Sequence, residues 1–143
     1  MNGMTLIVKT ITRLVIGFII VFAGNIVLYG HLTPGGGFAG GVMLACALIL
    51  LILAFGKKTA LDIVSDKALS AWDSIGALGF LAIAFAGFAG GFFFTNVIMR
   101  GTPLRLISGG AIMWSNISIG IKVSACLVAV FLALVLFRME HKR

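Results

Sequence analysis

The chain has 143 residues, of which 61% are hydrophobic and only 10% are charged, whereas a soluble domain carries about 25% charged residues. This composition excludes an ordinary soluble protein and indicates an integral membrane protein. The formal net charge of +7 comes without a basic patch interleaved with aromatic residues, so it predicts no nucleic-acid partner.

Four apolar segments are candidates to cross the membrane, because a helix needs about 20 apolar residues to span a hydrocarbon core of about 30 Å. None of the four alternates like a strand. The predicted fold is therefore an all-α integral membrane protein, with four transmembrane helices in one domain over residues 1–143. The spans are expected at about Leu14–Tyr29 (with an amphipathic lead-in), at Phe38–Phe55, at Ala71–Phe94, and from a start between Leu104 and Asn116 to Phe137.

The segment between the second and third spans is expected to form a short helix on the membrane interface. Apolar residues recur there near helical spacing, at Leu61, Val64, Ala68 and Trp72. A helix with one apolar face lies in the interface plane instead of crossing the bilayer. Ser70 and Asp73 have the spacing of a capping box, which predicts that the third span begins beside them.

Lysine and arginine residues are unevenly shared between the two predicted sides. Eight of the 11 lie in the N-terminal segment, in the loop between spans two and three, and in the C-terminal tail. Such an excess marks the cytoplasmic side. The sequence therefore predicts a multi-pass protein of the cytoplasmic membrane with both termini in the cytoplasm. No small-residue cleavage site follows the first apolar run, so this span is expected to remain in the mature protein.

The sequence offers no set of residues typical of an enzyme or a metal site. Cys46 and Cys126 lie inside apolar runs and form no C-x-x-C pair, which favours packing over a disulfide or metal. Glu140 and the aspartates are all predicted near the cytoplasmic edge, so no nucleophile is expected to meet a base and an acid. We therefore predict no catalytic residue, no cofactor and no metal.

The first predicted outer loop contains the sequence "GHLTPGGGFAGG". Its glycines allow positive φ and close backbone approach. One interpretation is a tight turn packed against a partner subunit. The other makes His31 a proton relay at the mouth of a pathway, because a histidine ring exchanges protons near neutral pH.

Lys122 lies inside the fourth predicted span, where a charged side chain is costly and usually faces a bundle interior or a water-filled cavity. Residues Ser115, Ser118, Lys122 and Cys126 follow 3-4-4 spacing and so share one helix face. Asn25 of the first span is placed near this stripe. One interpretation is a role in ion or proton transfer, with the balancing carboxylate supplied by another subunit. The alternative is that the lysine snorkels outward.

The same glycine-rich loop carries a family resemblance. At "GHLTPGGGFAGG" the sequence resembles the B subunit of the Mrp-type multisubunit cation/proton antiporters, which show the pattern G-H-x-x-P-G-G-G-F-x-G-G. The matching positions here are Gly30, His31, Pro34, Gly35, Gly36, Gly37, Phe38, Gly40 and Gly41. The resemblance covers most of the chain, including its length and its four spans.

This resemblance implies a membrane subunit that works only with other membrane subunits, in an assembly that exchanges Na+ for H+ across the lipid bilayer. Related subunits occur in the Mrp-like membrane arm of archaeal ion-pumping hydrogenases and sulfur-reducing complexes, and "NISIGIKV" is more similar to that branch. Any redox chemistry would then belong to another subunit. A non-transporting assembly scaffold, a membrane enzyme and a self-sufficient channel remain alternatives.

Overall fold

The computed structural model describes residues 4–56, 65–96, 102 and 106–140. Throughout these residues the regular structure is helical, which confirms the all-α prediction. The described residues contain four long helices: α1 Leu6–Leu28, α2 Gly37–Phe55, α3 Asp66–Ala86 and α4 Ala111–Glu140. Two short 3-10 helices, Gly87–Gly90 and Leu106–Gly109, follow α3 and precede α4.

Each long helix carries a segment that is long and apolar enough to cross a membrane. These segments are Leu6–Tyr29, Gly37–Phe55, Lys67–Gly90 and Ala111–Val135. Their mean hydropathies run from 1.6 to 2.7. Few of their residues are buried inside the chain, so most of the apolar surface is available to lipid or to other proteins.

The four helices pack in the order α1–α2–α4–α3. Helix α2 contacts both α1 and α4, and α4 in turn contacts α3. We call the end of the helices that holds the glycine-rich loop and the start of α4 the motif end. At the opposite end, the N–H of Met4 donates to the carbonyl of Ala54 at 2.9 Å, and the guanidinium of Arg13 lies 5.1 Å from the centre of the Phe55 ring.

Glycines bring α2 and α4 into close contact. A Cβ atom added to Gly41 would lie 2.8 Å from the carbonyl oxygen of Gly120 and 2.9 Å from Cβ of Val123. Helices in lipid gain no hydrophobic drive toward each other, so small residues that allow close packing hold them together. Nearer the opposite end, α2, α3 and α4 share a buried apolar cluster of Ala45, Ile52, Leu69, Ala125, Val128 and Leu132.

Two predicted helix starts are too late. Helix α1 begins at Leu6, because the amphipathic lead-in is itself helical. Arg13 does not mark the start of the helix, since its guanidinium lies over the ring of Phe55. Helix α3 begins at Asp66, after Ser65 as the N-cap residue, and the cap side chain makes no hydrogen bond. The predicted capping role of Asp73 is therefore wrong, since this residue lies two turns inside the helix.

The predicted separate interfacial helix is not supported by the described residues. Residues 66–70, which the sequence pattern places in it, form the first turns of α3. Its remaining part, residues 57–64, lies outside the described residues.

Helix α3 ends earlier than predicted, at Ala86 instead of Phe94. The chain tightens into the 3-10 helix, turns at Gly91 with φ 99°, and folds back so that the N–H of Phe94 donates to the carbonyl of Ala84 at 3.4 Å. A Cβ atom at Gly87 would lie 2.5 Å from the backbone nitrogen of Phe94. Glycine at this position is therefore what allows the reversal.

Candidate functional site

An ion pair joins α3 to α4 within their apolar spans. Nζ of Lys122 donates to Oδ1 of Asp73 at 2.8 Å. The two helices approach closely beside it, because a Cβ atom at Gly76 would lie 2.8 Å from Cβ of Lys122 and from the carbonyl oxygen of Ser118. Glycine at position 76 thus lets the lysine lie against α3 and reach a carboxylate one turn away.

The ion pair lies within the segment of α3 that is long and apolar enough to cross a membrane. This span starts at Lys67, and the six residues from there to Asp73 correspond to about 9 Å at the rise of an α-helix. The lysine side chain is 46% exposed and the aspartate side chain 41% exposed. Both charged groups are therefore accessible from the surroundings on this face of α3 and α4.

The partner of Lys122 corrects the expectation that this chain holds no acid at that depth. The expectation is wrong because the capping-box spacing places Asp73 at the start of the third span, whereas α3 begins at Asp66. The direction of the side chain also differs from outward snorkelling. Asp73 precedes Gly76 on α3, so the ammonium points away from the motif end.

A groove follows the seam between α3 and α4 on the face that carries the ion pair. It has two depressions, of about 410 Å³ and about 490 Å³. The depression nearer the motif end is lined by Gly76, Ala77, Phe80, Leu81, Ile119, Lys122 and Val123. The other is lined by Leu69, Ser70, Asp73, Ala125, Cys126, Ala129, Val130, Leu132 and Ala133.

A second candidate site lies at the motif end, where the glycine-rich motif and the start of α2 pack against α4. A Cβ atom at Gly30 would lie 2.9 Å from Nδ2 of Asn116, and one at Gly37 would meet the backbone of the same residue. Gly36 adopts a φ of 102°, a backbone conformation that residues other than glycine rarely adopt. The motif therefore builds a slot of bare backbone around Asn116.

His31 lies at the edge of this slot and contacts the segment before α4. Its Nε2 is 3.2 Å from Oγ of Ser108. A Cβ atom at Gly109 would lie 2.9 Å from Cγ of the imidazole. The ring is partly buried, so it packs between two segments of the chain.

The other predicted site residues are spread over the bundle. Ser118 lies beside Gly79 of α3, where an added Cβ atom would be 3.0 Å from its Oγ. Ser115 is buried, and its Oγ has no hydrogen-bond partner among the described residues. Asn25 is exposed on α1, which packs chiefly against α2. The structure thus brings Ser118 and Lys122 together against α3 and leaves Asn25 apart from them.

Within the described ranges, no group of three or more His, Cys, Asp or Glu side chains could hold a metal ion. Cys46 and Cys126 are free thiols on the exposed surface.

Sequence reasoning missed three residues of these arrangements: Asp73, Ser108 and Asn116. For Asp73 a signal existed, since one acid stands within an otherwise apolar run and the fourth span holds one unmatched lysine. For Asn116 the signal is weaker, because its importance depends on glycines more than 70 positions away. For Ser108 no local signal was present.

Four helices of membrane-spanning length in the described residues and a low content of charged residues define a multi-pass membrane protein. A family profile described as a domain related to the MnhB subunit of Na+/H+ antiporters matches residues 7–129. The chain belongs to this family.

Individual proteins are also similar to parts of this chain. The uncharacterized protein MJ1307 of Methanocaldococcus jannaschii is 42% identical over 106 residues, which cover 69% of this chain and 40% of that protein. The B subunit of the Na+/H+ antiporter of Bacillus subtilis is 44% identical over 54 residues, which cover 38% of each protein.

A solved structure is also similar. A chain of the membrane-bound sulfane sulfur reductase, an archaeal respiratory membrane complex, matches with a TM-score of 0.74 and 27% identity. The match covers 91% of this chain and 60% of that one. The present chain thus spans less than two thirds of each of these similar proteins.

Proposed function

We propose that this protein is a membrane-embedded subunit of an Mrp-type multisubunit Na+/H+ antiporter module and contributes to the exchange of monovalent cations for protons. The proposal rests on the family match over residues 7–129. Its partners are other membrane subunits of the same complex, and it carries out no catalysis of its own.

The observation that supports a direct part in ion movement is the Lys122–Asp73 pair. Charged side chains inside a membrane span are costly, and they mark ion pathways and proton relays in many transport proteins. Both side chains are about half-exposed, so ions, water or groups from another subunit can approach them. We assign Lys122 and Asp73 as the candidate ion-pathway residues, with Ser118 beside them.

His31 has a proposed role at the motif end. Its contact with Ser108 at 3.2 Å links the glycine-rich loop to the segment that leads into α4. A proton relay requires a ring that exchanges protons at the membrane edge, and a histidine is suited to this. The alternative role is a tertiary contact that fixes the loop, and the contact with Ser108 is compatible with both.

We further propose that residues 1–143 form one membrane domain of the cytoplasmic membrane with both termini in the cytoplasm. The support is the excess of Lys and Arg near the opposite end of the helices and in the tails. On this orientation the motif end, with His31, faces outward.

A second candidate function places the same kind of subunit in the membrane arm of a redox-driven complex. The structural match to a chain of the archaeal sulfane sulfur reductase favours it, because that match covers 91% of this chain. In such a complex the redox centres belong to other subunits. A third possibility, a scaffold without an ion path of its own, predicts that the charge pair can be neutralised without loss of transport.

The experiment that tests the function compares three preparations in proteoliposomes: the whole complex, the complex without this subunit, and this subunit alone. Na+-dependent dissipation of a pH gradient is the readout. We expect exchange by the whole complex and none by the other two preparations. Robust exchange by the single chain, or unchanged exchange without it, would contradict the proposal. Redox subunits that copurify with the complex would favour the second candidate.

A further inference from the structure

We propose that the groove between α3 and α4 is the docking site for one transmembrane helix of a neighbouring subunit. This helix presents an uncharged hydrogen-bonding side chain, Ser, Thr, Asn or Gln, to the Lys122–Asp73 pair. The inference rests on the proposed function only in taking the neighbour from the same complex.

The first argument is the unused hydrogen-bonding capacity of the ion pair. An ammonium has three donors, and a carboxylate has two acceptor oxygens. Among the described residues, the single side-chain bond between Nζ and Oδ1 uses one donor and one oxygen. Because the two side chains are 46% and 41% exposed, the remaining groups are open to the groove.

The surroundings make this unused capacity costly. The pair lies in helices that are long and apolar enough to span a membrane, and hydrocarbon offers no hydrogen-bond partners. Lipid tails alone would leave these groups unsatisfied, so either water or a polar group of another subunit has to meet the pair. The two charges already balance each other, so a third charge in the groove would itself be unbalanced. An uncharged polar side chain fits this requirement.

The second argument is the shape of the groove. It continues on both sides of the pair, with depressions of about 410 Å³ and about 490 Å³. On α4 its lining includes Cys126, Ala129 and Ala133, and on α3 it includes Ala77. Small side chains let the backbone of another helix approach closely, and such approach allows hydrogen bonds between helices.

The occupant must be a helix, because a partner at membrane depth has to satisfy its own backbone hydrogen bonds. A helix lying along the seam would cover both depressions and bring one side chain to the level of the pair. Lipid tails could fill the depressions but could not satisfy the charges. The ion pair therefore distinguishes this groove from the other exposed apolar faces of the described helices.

The test is site-specific photocrosslinking in the purified complex, with the photoreactive residue at Ala129 in the groove. The same residue at Val21, which is 75% exposed on α1, serves as the control for reactivity. We expect the probe at position 129 to crosslink to one transmembrane segment of another subunit. Peptide mapping should show Ser, Thr, Asn or Gln in that segment at the level of the pair.

Three outcomes would overturn the inference: adducts with lipid only, a crosslink to a second copy of this chain, or a mapped helix that lacks such a side chain. A steric variant provides an independent measurement. Ala129→Trp fills the groove and should cause loss of the mapped subunit from the purified complex, whereas Val21→Trp should retain it. Retention of that subunit in Ala129→Trp would also overturn the inference.

Failure of the docking site and failure of the proposed function can be told apart. A complex that exchanges Na+ for H+ but gives only lipid adducts at position 129 would remove the docking site and leave the function. A complex with the mapped helix in the groove but without Na+/H+ exchange would leave the docking site and remove the function.

Discussion

Lys122 and Asp73 are 49 positions apart in the sequence, and their charged atoms lie 2.8 Å apart between α3 and α4. Either charge alone would be costly within an apolar span. Together they form a neutral unit that joins two helices and remains half-exposed. The role of either residue therefore depends on the other.

The first prediction concerns the stability of this neutral unit. Lys122→Met leaves the carboxylate of Asp73 unpaired, and we expect a loss of about 1–3 kcal/mol, below the range of about 3–5 kcal/mol for breaking a fully buried pair. Adding Asp73→Asn removes the orphaned charge and should recover most of the loss. Thermal unfolding of the complex in lipid nanodiscs measures both. A double variant as unstable as Lys122→Met would show that the charge balance is unimportant.

The second prediction concerns the packing of α2 on α4. Gly41→Ala places a methyl group 2.8 Å from the carbonyl oxygen of Gly120, and such overpacking costs about 1–3 kcal/mol. The matched control is Gly24→Ala on α1, where an added Cβ meets nothing within 4 Å. We expect the control to be neutral or slightly stabilising, because alanine favours a helix over glycine by about 1 kcal/mol. Equal thermal stability of the two variants would contradict the close contact.

The third prediction concerns orientation. Thr33 lies in the glycine-rich loop, Ser65 lies just before α3, and both are exposed. With both native cysteines replaced, single cysteines at these two positions should react with a membrane-impermeant thiol reagent from opposite sides. In intact cells Thr33→Cys should label and Ser65→Cys should not. Labelling of both from outside would contradict the topology, as would the reverse pattern.

Much of the helix layout could be predicted from the sequence, because apolar run length is a local property. The end of α2 at Phe55 and the all-α class follow from composition and length alone. The start of α1 could not be found in this way. Arg13 resembles a boundary in the sequence, but its guanidinium lies over Phe55 of α2, and a tertiary contact of this kind has no local signal.

The candidate site was only half predictable. Lys122 stands out because a lysine in an apolar run is rare, and its position in the sequence is enough to select it. Asp73 carries a weaker signal, because it is an acid within an apolar run but a capping-box pattern offers a local explanation for it. The axial offset between α3 and α4 puts Gly76 beside Lys122. This offset brings the two charges together. That offset between helices is set by packing and cannot be counted along one sequence.

The fourth prediction separates the two interpretations of His31. His31→Gln keeps a hydrogen-bonding side chain near Ser108 but cannot exchange protons, whereas Ser108→Ala removes the hydroxyl and keeps the ring. A proton relay predicts strong loss of exchange in His31→Gln and modest loss in Ser108→Ala. A purely structural contact predicts near-normal exchange in His31→Gln. In Ser108→Ala it predicts a stability loss of about 0.5–1.5 kcal/mol, the usual net value of one hydrogen bond.

The most direct test of the central claim is Na+-dependent H+ exchange by the reconstituted complex that carries Lys122→Met together with Asp73→Asn. This double variant removes both charges without leaving one unpaired, so assembly should be preserved while transport is lost. Lys67→Met, at the exposed start of the third span, is the matched control and should transport normally. Assembly and exchange are measured on the same preparations. Loss of exchange in an intact complex is the predicted result, and full exchange by the double variant would contradict the claim that the pair takes part in ion movement.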